Sequence, residues 1–363
     1  SQDVFSLWIV EDLNLMPEDE IKFHFEVYDN DNVTGPKKSI SGIFTARFPS
    51  LADLFTRTEG QEEEVLETVE AMIEELDELD DALEAVELEL LKDEKLDWEN
   101  EQVLKEALEK VEENIEEIEA LKEALEEITE QAEKHDLFSP ELLEKFSSLQ
   151  DLLSEVITPE MIQAMDDLKE ALAELSPEDL LNPIQNFQIN TAQLEEQLDR
   201  FIEVFERIKA EQMMDEIVKR MEDLLDHQDE LVEELSKVDE RDNLKTLAEE
   251  EKRNLQEFQN IVDEMQTASD VMEPYAAMPS ADLLELSESE LAHQTESDLE
   301  SAQSQLQQND SNQAMQFSRN AHSNMEKMLS KAQSIQQQFQ QQTVSEMLAE
   351  FNSILTNTLY LSK

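Results

Sequence analysis

Residues 104–128 read LKEALEKVEENIEEIEALKEALEEI. Apolar side chains return at three- and four-residue steps through Leu104, Leu108, Val111, Ile115, Ile118, Leu121, Leu125 and Ile128. A row sustained at that spacing predicts a coiled-coil seam. Upstream, Leu66, Val69, Ile73, Leu76, Leu83, Val86 and Leu90 keep the same rhythm. Only KDEKLDWEN (92–100) separates the two rows, so the simplest arrangement is an antiparallel hairpin. Residues 61–135 carry 31 acids and 6 lysines, net −25. Excess Glu on both helices disfavours close salt bridging between them.

The same bias runs through the chain. Its 363 residues hold 91 acidic and 27 basic side chains, a formal charge of −64. Nucleic acid and anionic membrane surfaces both demand a basic face, and no run or stripe of Lys and Arg supplies one. Basic proteins, cations and apolar helices or grooves remain as partner classes. With 3 Gly and 9 Pro there are few turns, so the elements must be few and long. Apolar residues reach 39% and aromatics 6%, a composition of long helices rather than of disorder. The absence of Cys excludes disulfides and thiolate metal sites. No apolar run is long enough to span a membrane, and no signal-peptide pattern opens the chain.

Residues 1–50 follow a different rule. FSLWIV (5–10) is a compact strand-like run. EIKFHFEVYDND (20–31) alternates, which places Ile21, Phe23, Phe25 and Val27 on one face of a strand. DNDNVTGPKK (29–38) is a turn, and SISGIFTARF (39–48) is a further strand with Ile43 inward. Leu15, Pro17, Asp19, Ile21 and Phe23 at alternate positions resemble the approach to the penultimate strand of an immunoglobulin-like or fibronectin type III sandwich. Ile21 stands where a corner tyrosine is frequent. Three strands do not make a sandwich. The earlier strands are therefore expected upstream of Ser1, and the helical pattern reaches Lys363, so both ends read as cut.

Beyond the hairpin, Ser139-Pro140-Glu141, Thr158-Pro159-Glu160 and Ser176-Pro177-Glu178 each set a hydroxyl N-cap before Pro and Glu. Short capped helices follow from them. A long helix is expected from about Thr191 to Lys237, and another from Asn243 to Met272. Pro274 and Pro279 break the pattern. Residues 301–342 hold 13 Gln, and 301–363 carry four acids and four bases. An amphipathic helix through Ala314, Phe317, Ala321 and Met328 and a last helix over Val344–Leu361 are expected there.

FEVYDNDNVTGPKKSISGIFTARFPSL (25–51) resembles a stretch of the bacterial domain of unknown function 4175 family, in which a β-domain ends in a similar turn and strand. FSPELLEKFSSLQDLL (138–153), QLDRFIEVFERIKAEQ (197–212) and LQQNDSNQAMQFSRNAHSNMEKML (306–329) resemble its helical segments. FNSILTNTLYLSK (351–363) resembles the start of a later helical motif. The resemblance implies a large envelope protein with an N-terminal membrane anchor, on the periplasmic side of the inner membrane. It implies no catalytic residues, because the family has no defined site.

The chemistry-bearing residues are scattered. His24, His135, His227, His293 and His322 share no ligand motif beyond Glu290-x-x-His293. A di-iron bundle needs two such pairs and two further Glu, so a chance match is the plainer reading. Asp29, Asn30 and Asp31 could offer oxygen ligands to Ca²⁺, but a hydrogen-bonded turn explains them as well. Asn32-Val33-Thr34 and Asn309-Asp310-Ser311 match the glycosylation acceptor. Met213, Met214, Met221, Met265 and Met272 fit either an adaptable groove or core filling.

The expected organisation is mainly α. The last strands of an immunoglobulin-like domain (1–50) precede an acidic coiled-coil hairpin (60–136) and short capped helices (137–183). A long helical hairpin (190–273) and a Gln-rich helical region (285–363) follow. No catalytic, cofactor-binding or metal residues are assigned. The leading expectation is a scaffolding or interaction arm that meets proteins, its own copies included, through helical surfaces. The alternatives are a holdase for basic clients and a regulatory subunit beside an enzyme.

Overall fold

The computed structural model describes residues 20–29, 36–47, 49–93, 98–174, 180–237, 243–275 and 278–361. The described chain is mostly helical, with a few short antiparallel strands near its N-terminus. It divides into two units at Gly60. FSLWIV, the Asn32-Val33-Thr34 acceptor and the Ser176-Pro177-Glu178 start lie outside the described residues.

Among its described residues the first unit holds four strands, β1 (Glu20–Phe23), β2 (Glu26–Tyr28), β3 (Lys38–Ile40) and β4 (Phe44–Arg47). β1 pairs with β4 from Glu20↔Arg47 to Phe23↔Phe44, and β2 with β3 from Glu26↔Ile40 to Tyr28↔Lys38. Between the two ladders His24 and Phe25 face three residues, Ser41, Gly42 and Ile43. The ribbon therefore carries a bulge, and Phe25 N–H donates to Ser41 Oγ at 2.8 Å inside it. Phe23 and Phe25 share a face, as expected, with ring centroids 5.8 Å apart. That face is only partly covered: Ile21 and Phe23 are half-buried, but Phe25 is 59% exposed and Val27 66%. Ile43, expected inward, is 74% exposed because it sits in the bulge rather than in a strand. Phe23 and Phe44 stack across the strands at 5.5 Å.

Helix α1 (Leu51–Asp93) starts at a reciprocal cap. Ser50 N–H donates to Asp53 Oδ2 at 2.9 Å, and Asp53 N–H donates to Ser50 Oγ at 3.1 Å. In the second unit its buried row is Val65, Val69, Met72, Leu76, Leu79, Leu83, Val86 and Leu90, at strict four-three steps. Leu66 and Ile73, which the sequence placed in that row, flank it and are half-buried. Helix α2 (Trp98–Lys134) runs antiparallel to α1, since Asn100 donates to Glu89 at 2.6 Å and Lys110 meets Glu78 at 3.6 Å.

The α2 row corrects the sequence reading at one place. Its inner slot between Val111 and Ile118 belongs to Asn114, 1% exposed, and Ile115 is only half-buried. Neither Asn114 Oδ1 nor Nδ2 has a hydrogen-bond partner among the described residues. An orphaned buried amide costs about 1–3 kcal/mol. Asn114→Leu is therefore expected to raise the urea midpoint by an equivalent amount. An unchanged or lower midpoint would show that the amide is satisfied.

Among the described residues two helix ends use the left-handed conformation. Asp136 (φ 52°) closes α2, and Leu137 N–H bonds Ala132 carbonyl at 2.9 Å. Asn309 (φ 63°) closes the helix Glu290–Gln307, and Asp310 N–H bonds Gln305 carbonyl at 2.9 Å. Asp310 then caps the next helix through Gln313 N–H at 3.1 Å. The acceptor asparagine thus sits in a tight interhelical turn.

Helices α3 (Pro140–Val156) and α4 (Pro159–Glu174) start on Ser139 and Thr158, whose hydroxyls accept from Leu142 N–H and Met161 N–H. Helix α5 (Leu181–Lys237) begins ten residues before the expected Thr191. Pro183 is tolerated in its first turn, and burial of Ile184 and Phe187 outweighs the modest helix propensity of the Asn- and Ile-containing start. Then come α6 (Asn243–Met272), α7 (Ser280–Ser287), α8 (Glu290–Gln307) and α9 (Ser311–Leu361). Helix α9 is continuous where two helices were expected. Its inner row steps four-three through Ala314, Ser318, Ala321, Met325, Met328, Ala332, Ile335 and Phe339. The small members let α9 lie close to its neighbours.

Helix α5 is the common element. It packs on α3, α4, α6 and α9. Helix α8 packs on both α6 and α9. The core between them includes Met214, Ile217, Met221, Phe258, Met265, Leu299 and Met328.

Candidate functional site

A helix that faces solvent on one side keeps its polar residues there. Helix α5 breaks this rule over one stretch. From Ala210 to Val218 every residue is buried, and this stretch includes Glu211, Gln212, Asp215 and Glu216. Charges in such a place need partners, and the neighbouring helices bring them.

Glu211 is fully buried and pairs through Oε2 with Lys145 of α3. Burial pushes its carboxyl up, and the Lys145 ammonium opposes this. Asp215, four residues on, accepts the Ser139 N–H at 2.6 Å through Oδ2 and the Gln336 amide at 2.6 Å through Oδ1. It therefore ties the start of α3 to α9. Burial raises its carboxyl, against these bonds and the Lys219 charge. On another side Arg220 donates to Glu216 at 2.7 Å and to Glu257 of α6 at 2.8 Å. The two carboxylates hold its guanidinium above its ordinary value despite burial. Gln333 of α9 donates to Glu222 at 2.9 Å.

Further along α5 a second polar layer joins three helices. Glu251 of α6 is fully buried and accepts from Gln228 of α5 at 3.1 Å and from Ser318 of α9 at 3.1 Å. Gln228 in turn accepts from Asn254 at 2.8 Å. No cation takes part in these bonds. Burial pushes the Glu251 carboxyl up to about 7. Networks of this kind fix which helices meet and in what register, more than they add stability.

At the α6–α7 corner, Tyr275 donates to Glu206 of α5 at 2.9 Å and lies 5.8 Å from the Arg207 guanidinium. Burial and the Glu206 bond push the phenol up to about 12.

The histidines do not converge. His24 bonds Glu26, His227 lies 3.6 Å from Asp223, and His322 lies 3.8 Å from Asp229. His293 is exposed on the rim of a groove of about 490 Å³ between α6 and the α7–α8 corner, beside Asp263, Glu288 and Glu296. Glu290 accepts from Gln294 instead, so the Glu-x-x-His pair forms no shared site. Among the described residues no histidine belongs to a cluster of three metal-type ligands. Asp29 accepts the Lys37 N–H at 2.8 Å across the turn, which is the turn reading for that residue. Asn30 and Asp31 lie outside the described residues. The five methionines all lie in the core, at 7% exposure or less, so they line no open groove.

Sequence reasoning missed both buried layers. In a chain with 91 acids the few inward ones carry no distinguishing mark. One signal was present: EQMMDE (211–216) interrupts the polar face with two adjacent methionines, a pattern of burial all round. Comparison with protein-family models, with curated proteins and with solved structures returned no match.

Proposed function

We propose that this chain is a non-catalytic scaffolding and protein-interaction arm that works through helix–helix packing. The observation that supports it best is the role of α5. One helix of 57 residues, about 85 Å long at 1.5 Å per residue, is joined by buried polar bonds to α3, α6 and α9 in turn. Such bonds specify partners and register, which is what a scaffold requires.

Within this reading α1 and α2 form a coiled-coil hairpin, supported by their four-three buried rows and two cross-links. The strand pairs belong to an immunoglobulin-like β-domain. On that ribbon Phe25 and Phe44, with ring centroids 5.5 Å apart, are 59% and 47% exposed, the kind of face a second sheet covers. The resemblance to the domain of unknown function 4175 family supports a bacterial-envelope location on the periplasmic side of a membrane-anchored protein. No helix among the described residues is long and apolar enough to cross a membrane itself. A holdase for basic clients is less favoured, because its methionine groove is packed core.

The partners this reading favours are basic proteins. Zero-length carbodiimide cross-linking of the full chain to a lysine-bearing amphipathic helical peptide tests it. The expected result is saturable cross-linking to carboxylates of the helical unit that falls several-fold between 50 and 500 mM salt. No saturable adduct at 50 mM salt overturns it.

A further inference from the structure

The buried layer around Glu251 divides the apolar core. Two separate clusters lie along α5, α6, α8 and α9. The large one holds Leu224, Leu255, Leu299 and Ala321, and the small one holds Leu231, Ala248, Leu306 and Ala314. On α5, Gln228 falls between Leu224 and Leu231. On α6, Glu251 and Asn254 fall between Ala248 and Leu255, and on α9, Ser318 falls between Ala314 and Ala321. Gln228, Glu251 and Ser318 are fully buried, so the layer crosses the core rather than its surface. The end beyond it comprises 228–237 of α5, 243–254 of α6, the part of α8 around Leu306 and the start of α9. Its buried cluster is made of leucine and alanine, whereas the large one adds methionines, Phe258 and Phe339. A part with fewer buried apolar contacts opens on its own before the whole fold does.

The layer that closes this end contains a carboxyl bonded to no cation. Burial penalises its ionised form and spares the neutral acid. Ser318 lets the layer keep its bonds in either state. Its hydroxyl lies 3.1 Å from Glu251 Oε1, and a hydroxyl donates to a carboxylate or accepts from a carboxylic acid. Losing the proton therefore breaks no bond in the layer but strands a charge there, and opening the end hydrates that charge. The titratable groups nearby act in the same direction. On α6, burial and the charges of Glu230 and Glu234 on α5 push the Glu250 carboxyl up, against the Arg253 charge. On α9, His322 lies 3.8 Å from Asp229 of α5, a pair that is ionic only with the imidazole protonated. His227 lies against Asp223 of its own helix. Lys252, Arg253 and Arg319 are exposed, and the charged residues of α8 lie outside its buried row.

We propose that the end of the bundle beyond the Glu251 layer is a proton-controlled latch, closed while Glu251 is protonated and opened locally when it ionises, with the larger core left folded. The latch does not depend on what the interaction arm binds. The Glu251 carboxyl stands at about 7 in the closed end against 4.5 for the ordinary group. Closure is thus fully favoured below about pH 4.5 and weakens as pH climbs to about 7.

Native-state hydrogen exchange tests it, on the full chain and on Glu251→Gln, read peptide by peptide at low urea and corrected for intrinsic rates. Amides of 228–237, 243–250 and 303–317 are expected to exchange through an opening of shallow urea dependence. Those of 258–268 and 325–335 should exchange only by the steep, global route. The shallow opening should become at least about tenfold more frequent from pH 5 to pH 8 in the native chain, and change less than about threefold in Glu251→Gln. The proposal is overturned if the two sets of amides share one urea dependence, because the end then never opens alone. It is also overturned if the shallow opening is equally frequent at pH 5 and pH 8 in the native chain, a comparison that needs no variant. An opening whose pH dependence is the same in Glu251→Gln overturns it as well, since another group would then work the latch.

Discussion

Exchanging Lys145 for Met is expected to lower the stability of the helical unit by about 3–5 kcal/mol at pH 8, because it strips the cation from a buried carboxylate. Glu211 is fully buried, Lys145 is its cation at Oε2, and Glu211 Oε1 has no hydrogen-bond partner among the described residues. Met keeps the length of the lysine stem, so little packing is lost. The sign with pH follows from the direction of the shift. Burial already raises the Glu211 carboxyl, so the folded chain holds that proton more tightly than the unfolded chain does. Without Lys145 the carboxyl rises further. The defect should therefore be largest in base and shrink as pH falls and Glu211 becomes neutral. The double exchange Lys145→Met/Glu211→Leu removes both charges and should recover most of the loss, since apolar replacements of buried pairs are often neutral or stabilising. Urea midpoints of the three chains at pH 5 and pH 8 decide it. A single variant that loses less than about 1 kcal/mol at pH 8, or a double variant as weak as the single, would mean that Glu211 is not stranded by the exchange.

The same contrast explains what could be read in the chain beforehand. Helix identity was legible wherever one face alone is buried, because burial then leaves a period. The rows of α1 and α2 show it, and the caps at Ser139 and Thr158 were plain from hydroxyl, Pro and Glu in sequence. Phase within a row was less legible. Ile115 is the more apolar choice, yet Asn114 occupies the inner slot, because the four-three step from Val111 to Ile118 outweighs the preference of a single side chain. The start of α5 was missed for a related reason, since Ile184 and Phe187 gain more from burial than their neighbours lose in propensity. The bulge opposite His24 and Phe25 depends on a pairing that no local pattern displays. The polar layers were the least legible. Lys145 and Glu211 are 66 residues apart, and Asp215 and Gln336 are 121 apart. Each is an ordinary surface residue in sequence, and only the meeting of α3, α5 and α9 makes it otherwise.

Glu251→Gln is expected to make the helical unit more stable at pH 8 by about 3 kcal/mol and to leave it nearly unchanged at pH 4. The groups facing Glu251 are Gln228 from α5, Asn254 from α6 through Gln228, and Ser318 from α9, none of them charged. Its carboxyl stands at about 7 in the fold against 4.5 for the ordinary group. A raised carboxyl is neutral in the folded chain while the unfolded chain has already released the proton. Stability is thus highest below about pH 4.5, falls as pH climbs from there to about 7, and is constant above, where both states are ionised. A shift of that size corresponds to roughly 3 kcal/mol at 1.36 kcal/mol for each pH unit. Gln keeps the shape, offers one oxygen to the Gln228 amide and cannot ionise. The many other carboxylates of the chain titrate in the same range, so the informative quantity is the difference between the two chains at each pH. That difference should open between pH 4.5 and pH 7 and then stay level. Urea midpoints measured at half-unit steps from pH 4 to pH 8 give it directly, and a difference that stays flat across the range would show that Glu251 is ionised at little cost. The layer would then be a register device alone. With the expected profile, the joint of α5, α6 and α9 loosens across neutral pH, so the helical unit is most rigid on the acid side.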